Sequence, residues 1–282
     1  MVFTQHTHLQ AILHSIVLVT LTLCMACQSD LPIPVDPPME DPSEQWQTLL
    51  EQSVSLEGID WVTIEANKNV LEQYVAWIGT IGPQSNRRND TRFPRRGRSN
   101  HKLVHWINAY NAWMMYSYLH HGKPTDISSI DATNGYLWGQ RIYIDGEYTS
   151  FSHVKHERIL ADFQDPRLHF MLYELTENSP LPKFWTATMW KSKVNLFARK
   201  FMASGQGAIQ TDQGWEFHPM FDRYQNDFVD WSEHETLCAF LMEYTNGNLN
   251  LWLKEAHNTG CNLVFFEEST QIPSSSKRNS PE

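Results

Sequence analysis

Apolar positions recur along this chain at two periods, and the helical period dominates. Between Asn67 and Ile78 the residues Val70, Leu71, Tyr74, Val75 and Trp77 fall on one helical face, and Gly79, Gly82 and Pro83 end the run. A shorter helix is predicted from Glu44 to Leu50. The longest such stretch runs from His101 to His121 and stops at Gly122 and Pro124. It is apolar around most of its circumference, which places it at the centre of a body and not on its surface. Inside it His105 to Trp113 reads HWINAYNAW, with Asn108 and Asn111 three residues apart and therefore on one face. Asparagine is a mediocre helix former, and burying its amide costs free energy unless both ends are hydrogen-bonded. Two such residues predict a buried polar network. It either fastens a neighbouring loop or serves a site.

The period of two appears at Arg141–Ile144 and Glu147–Thr149, separated by Asp145-Gly146, a strong hairpin signal. Ser150 or Ser152 is placed to cap a helix from His153 to Ala161 that carries His156. The phrase DPRLHFMLYEL, Asp165 to Leu175, takes His169 into a buried strand or helix edge, and Asn178 to Pro182 is a turn. An amphipathic helix from Thr186 to Met202 follows, then a strand at Trp215–Phe217. Helices at Phe221–Phe228 and Glu233–Tyr244 precede a strand at Asn262–Phe266. The expected fold class is α+β: a mainly helical single domain with a small β-sheet or hairpin.

The two ends read differently. Residues 11–26 form an apolar run too short for a comfortable membrane span, and Cys27 follows a small residue. The arrangement is similar to a bacterial lipoprotein leader, with Cys27 as the lipidated residue. A plainly cleaved signal and an uncleaved anchor are the alternatives. Residues 28–43 hold five prolines and read as a tether. The body spans 44–268, and 269–282 is a polar tail. The expected location is outside the cell's inner compartment, facing the periplasm, with a membrane surface as partner through the lipid.

Composition sharpens this picture in three places. With 41% apolar residues and 11 Trp, 14 Phe and 10 Tyr, 282 residues build a folded body with one sizeable core. A formal charge of -10 argues against nucleic acid as a partner. Six arginines between Arg87 and Arg98 form a local exception, either a solvated loop or a rim for an anion. Cys238 and Cys261 either pair in an oxidising compartment or stay as buried thiols. The pairs His101/His105 and His153/His156 have spacings that suit a metal, yet no third ligand is fixed, so no metal or cofactor is expected.

WINAYNA (Trp106 to Ala112), the hairpin leading into VKHERIL (Val154 to Leu160), and DPRLHF (Asp165 to Phe170) occur in an order that resembles the domain of unknown function 547 family. The likeness extends over about residues 44–266. It implies an α+β body, and exported or lipid-anchored members are common in bacteria, but it brings no established reaction. Members usually carry two cysteines in a C-x-S-x-S-C-P pattern, where this chain has ELTENSP, so Glu174 and Ser179 stand at those positions. Two functional expectations follow. In one, the chain is an anchored binding protein that keeps the family's cleft without its thiols, for an anionic or carbohydrate-like ligand. In the other, a hydrolase-like site uses His156 as base and Ser179 as a weakened nucleophile. Asn108 and Asn111 would there orient the base or an oxyanion, with His169 as the second imidazole.

Overall fold

The computed structural model describes residues 30–83, 99–134 and 137–272. Cys27 and the arginine-rich loop lie outside the described residues. The helix Asn100–His120 is the axis of the body. Ser99 caps it by accepting the Lys102 N–H at 3.2 Å, and every residue from Leu103 to Tyr118 is buried. Against it packs the helix Lys68–Thr80, which buries Leu71, Tyr74, Val75 and Trp77. The helix Ser43–Ser53 closes that side.

The hairpin forms with the expected register, Arg141–Ile144 pairing antiparallel with Glu147–Ser150. Its Asp145-Gly146 turn has positive φ at both residues, 56° and 83°, the twist that two-residue hairpins prefer. The turn docks on the end of the helix before it: Ile78 O accepts the Asp145 N–H and Gly79 O accepts the Gly146 N–H. Gly79 is required there, because a Cβ would lie 2.8 Å from the Tyr143 ring. Trp113 of the axial helix donates to Tyr143 O at 3.2 Å, tying the hairpin to the core.

The next helix differs from the expected regular one. Ser150 caps it by accepting the His153 N–H, but after the turn Phe151–His153 the backbone widens into a π-helix over Val154–Ala161. Asp165 then caps a short 3-10 helix, Pro166–Met171, that carries His169.

A second apolar cluster is built from Phe170, Phe201, Phe217, Phe221, Phe228, Phe240 and their neighbours. It lies under a three-stranded sheet in which Ala208–Thr211 pairs antiparallel with Gly214–Phe217. Val264–Phe265 adds to Gly214–Phe217 in parallel. The helix Trp190–Ala203 joins the two clusters, with Phe197 packed against both. Cys238 and Cys261 form a disulfide, so the alternative of free thiols falls. Closing a loop of this length contributes about 3 kcal/mol in the chain-entropy account.

Two helices carry too little periodicity to be read in advance. Ile127–Asn134 has a mostly polar sequence and starts where the Asp126 carboxylate accepts the Ser128 N–H. Gly247–Asn258 starts at the glycine of an Asn-Gly pair that reads as a terminator, yet Leu249 and Leu253 bury one face of it. The ends of the described residues dock as well. Asp30 bridges to Arg141, Leu31 is buried, and Gln271 bridges to Asp126 with Ile272 buried behind it. The body is thus α+β and mainly helical, with small sheets.

Candidate functional site

Between Leu172 and Met189 the chain forms no regular helix or strand, although much of it is buried. Buried backbone groups need partners, so something else must supply them. The two asparagines do. Asn111 donates from Nδ2 to Met171 O at 2.9 Å and accepts the Tyr173 N–H at 2.9 Å. Asn108 does the same at the far end, donating to Trp185 O at 2.8 Å and accepting the Trp185 N–H at 2.9 Å. Each amide acts as a surrogate strand, and together they pin both ends of one loop to the axial helix. In between, Gln206 donates to Ser179 O and Gln271 O accepts the Glu177 N–H.

The pinned loop carries Glu174 and Thr176 into a cleft of about 640 Å³. Opposite them stand Lys155, His156 and Ser152, presented by the capped turn and its π-helix. Trp138, Arg223 and Tyr224 form another wall, and Glu268, Ser269 and Thr270 close the last side. That final strip is clasped by Asp126, whose carboxylate accepts from Thr270 Oγ1 and from Gln271 Nε2. Widened π turns re-aim side chains relative to a regular helix and recur at functional sites. Leu175, between the two cleft residues of the loop, has φ of 63°, a strained conformation for a branched side chain.

The charged groups of the cleft are matched in pairs. Lys155 Nζ makes a short ion pair with Glu174 Oε1, and both side chains are largely buried, with 6% and 15% exposure. The ammonium also sits 4.6 Å over the Tyr224 ring and 6.0 Å over that of Trp138. Burial alone pushes the Glu174 carboxyl up, but Lys155, with help from Arg223 and His218, holds it below its ordinary range. Burial likewise disfavours the Lys155 ammonium, and Glu174 reverses this and raises it. Arg223 pairs with Glu268 across the mouth.

Each candidate catalytic residue read from the sequence has a defined place. His156 is exposed on the cleft wall; burial and then Lys155 push its imidazole below the usual value. His169 is buried behind that wall. Its Nε2 lies 2.9 Å from Asp227 Oδ2, and since a carboxylate only accepts, Nε2 carries the proton. The ring stacks on Tyr224 at 4.4 Å, so His169 positions a cleft residue without lining the cleft. Ser179 is buried, with Oγ accepting the Glu174 N–H at 3.3 Å. Among the described residues it makes no hydrogen bond to a histidine. Asn108 and Asn111 hold backbone and do not reach the cleft. Glu174 and Ser179, where the resemblance puts cysteines, are in contact with each other.

Sequence reading missed Lys155, Tyr224, Arg223 and His218. Lys155 was legible as a lysine beside His156 in an otherwise apolar helix face. His218 is buried, and its Nδ1 accepts the Met220 N–H at 3.0 Å, so the proton is on Nε2. Burial pushes this imidazole down to about 4, against the pull of Glu174. Unfolded, it titrates near 6.5 and binds a proton that the folded state refuses. Stability therefore falls as pH drops from about 6.5 to about 4, by up to about 3 kcal/mol. Urea unfolding across that range checks it, and His218→Asn, which keeps an acceptor for Met220, should make the decline shallower, leaving the part that buried His169 contributes with the same sign.

Among the described residues no cluster of three His, Cys, Asp or Glu side chains is placed to hold a metal ion. Nor is any described helix long and apolar enough to cross a membrane. Fold and cleft together define a mainly helical α+β domain whose polar cleft is carried by an amide-pinned loop. Residues 94–202 match the family model described as Protein of unknown function, DUF547. The match covers the axial helix, hairpin, π-helix and pinned loop. The wall made by Arg223, Tyr224 and residues 268–270 lies beyond it. No curated protein and no solved structure matches the chain.

Proposed function

We propose that this protein is an exported, lipid-anchored binding protein whose cleft takes a neutral, polyhydroxylated ligand of carbohydrate-like chemistry. The observation that carries this reading is the pairing of cleft charges. Lys155 with Glu174 and Arg223 with Glu268 satisfy one another, so the walls offer alternating donors and acceptors without a net anion-attracting field. Between them stand hydroxyls of Ser152, Thr176, Ser269 and Thr270 and the rings of Trp138 and Tyr224, a composition suited to sugar hydroxyls and the apolar faces of a pyranose. The Cys238–Cys261 disulfide supports an oxidising compartment, and the leader with Cys27 supports export.

A binding role is favoured over hydrolysis because Ser179 Oγ is engaged by the Glu174 N–H and, among the described residues, makes no hydrogen bond to either histidine. The test is calorimetry on the purified chain with maltotriose, cellotriose and chitotriose as neutral probes and citrate and phosphate as anionic ones. At least one neutral probe should bind, and Tyr224→Ala should weaken it by about ten-fold, the scale of one lost aromatic contact. Binding of the anions alone would overturn the ligand class. Hydrolysis of p-nitrophenyl acetate abolished by His156→Ala would overturn the binding role itself.

A further inference from the structure

The point at which the chain enters the body fixes which surface a lipid anchor would hold against a bilayer, an inference that rests on the anchored reading above. The backbone joins the hairpin at once: Leu31 N donates to Arg141 O at 2.8 Å, Leu31 is 2% exposed, and Asp30 pairs with the Arg141 guanidinium at 3.4 Å. Cys27 precedes Asp30 by three residues, a reach of about 10 Å even when fully extended. A lipid on Cys27 therefore holds the edge of the hairpin next to the membrane and leaves little slack for tumbling.

Exposed apolar side chains occur both on the strip that follows Leu31 and on the hairpin. The strip that follows Leu31 exposes Ile33, Val35 and Met39, the last fully. On the hairpin, Tyr148 is half exposed, with the Arg141 guanidinium 4.8 Å over its ring and Tyr143 packed beside it. An aromatic ring with a polar tip, next to a cation and small apolar groups, suits the boundary between headgroups and acyl chains. Prolines 32, 34, 37 and 38 remove backbone donors, so this strip is a poor template for strand pairing with a second chain.

We propose that Ile33, Val35, Met39 and Tyr148 form the face by which the anchored body rests on a lipid surface. The contact is apolar in character. Asp36, Glu40 and Asp41 lie along the same strip and disfavour anionic headgroups, and Asp30 is already paired with Arg141. Added salt should accordingly leave it unchanged, unlike a polybasic contact.

The experiment uses the full lipidated chain in phosphatidylcholine vesicles with brominated acyl chains. A fluorophore is placed in turn at Met39→Cys, Tyr148→Cys and Leu251→Cys, the last an exposed position on a helix of the second cluster. Quenching should be several-fold stronger at the first two positions than at Leu251, and equal in low and high salt. Vesicle-bound protein with the same weak quenching at all three positions would overturn the proposed face while leaving the anchor standing. If Cys27→Ser binds vesicles no differently from the unaltered chain, the anchor fails, and the proposed face with it.

Discussion

Lys155→Met is expected to lower the unfolding free energy by about 3–5 kcal/mol, because it strands the Glu174 carboxylate without its counter-charge in a largely buried place. Glu174→Leu alone should cost a similar amount, through the orphaned ammonium. The two together are expected to recover most of the loss, since replacing a buried ion pair by packed apolar groups of similar size is close to neutral. Urea unfolding of the four proteins in a double-mutant cycle measures the coupling directly. A coupling near zero would mean that water screens the pair and that the cleft floor is not as enclosed as the geometry makes it.

The pH dependence has a definite sign. Glu174 is held below its ordinary value of 4.5, so its contribution is present above that value and is lost as pH falls through the folded pKa. Lys155 is raised above 10.5, so its contribution is present below that value and is lost as pH rises through the folded pKa. Between the two the contribution is flat. His218 adds a decline that begins nearer 6.5, which separates the two effects in one titration.

Much of this body was legible because its signals are local. The axial helix carries its own stop residues, and the hairpin carries Asp-Gly at the one position where two positive φ angles are needed. Their predicted bounds fall within a residue or two of the observed ones. The cleft was only half legible, because its residues are gathered from distant segments. His156 could be named from its phrase, but Tyr224, Arg223 and Glu268 reach it only through packing of the second cluster. No spacing in a sequence encodes that approach. The π turns of Val154–Ala161 were equally hidden: a regular and a widened helix share the same apolar pattern over two turns. Ser179 shows the converse limit. A hydroxyl at a family cysteine position invites a nucleophile's role, and only coordinates reveal that its partner is the Glu174 N–H.

The second large effect is expected at Asn111. Leucine there has a similar volume but can neither donate to Met171 O nor accept from Tyr173 N. Each buried backbone group left without a partner costs about 1–3 kcal/mol, so the two freed by Asn111→Leu should destabilise by about 2–6 kcal/mol. Asn111→Asp distinguishes hydrogen bonding from packing, because it keeps the acceptor for Tyr173 but turns a carboxylate oxygen on Met171 O. Burial beside a carbonyl should raise the new carboxyl's pKa, so this variant should be weakest at neutral pH and regain stability as pH falls and the group becomes a donor. The cleft supplies the second readout. Tyr173 immediately precedes Glu174, so freeing its backbone should displace that carboxylate from Lys155 and weaken any neutral sugar probe that binds. Asn108→Leu, at the Trp185 end, should cost comparable stability with a smaller effect on binding, because ten residues lie between Glu174 and Trp185. Equal binding losses from the two would show that the loop moves as a rigid unit, and no binding loss from either would show that Glu174 is held by Lys155 and Ser179 alone.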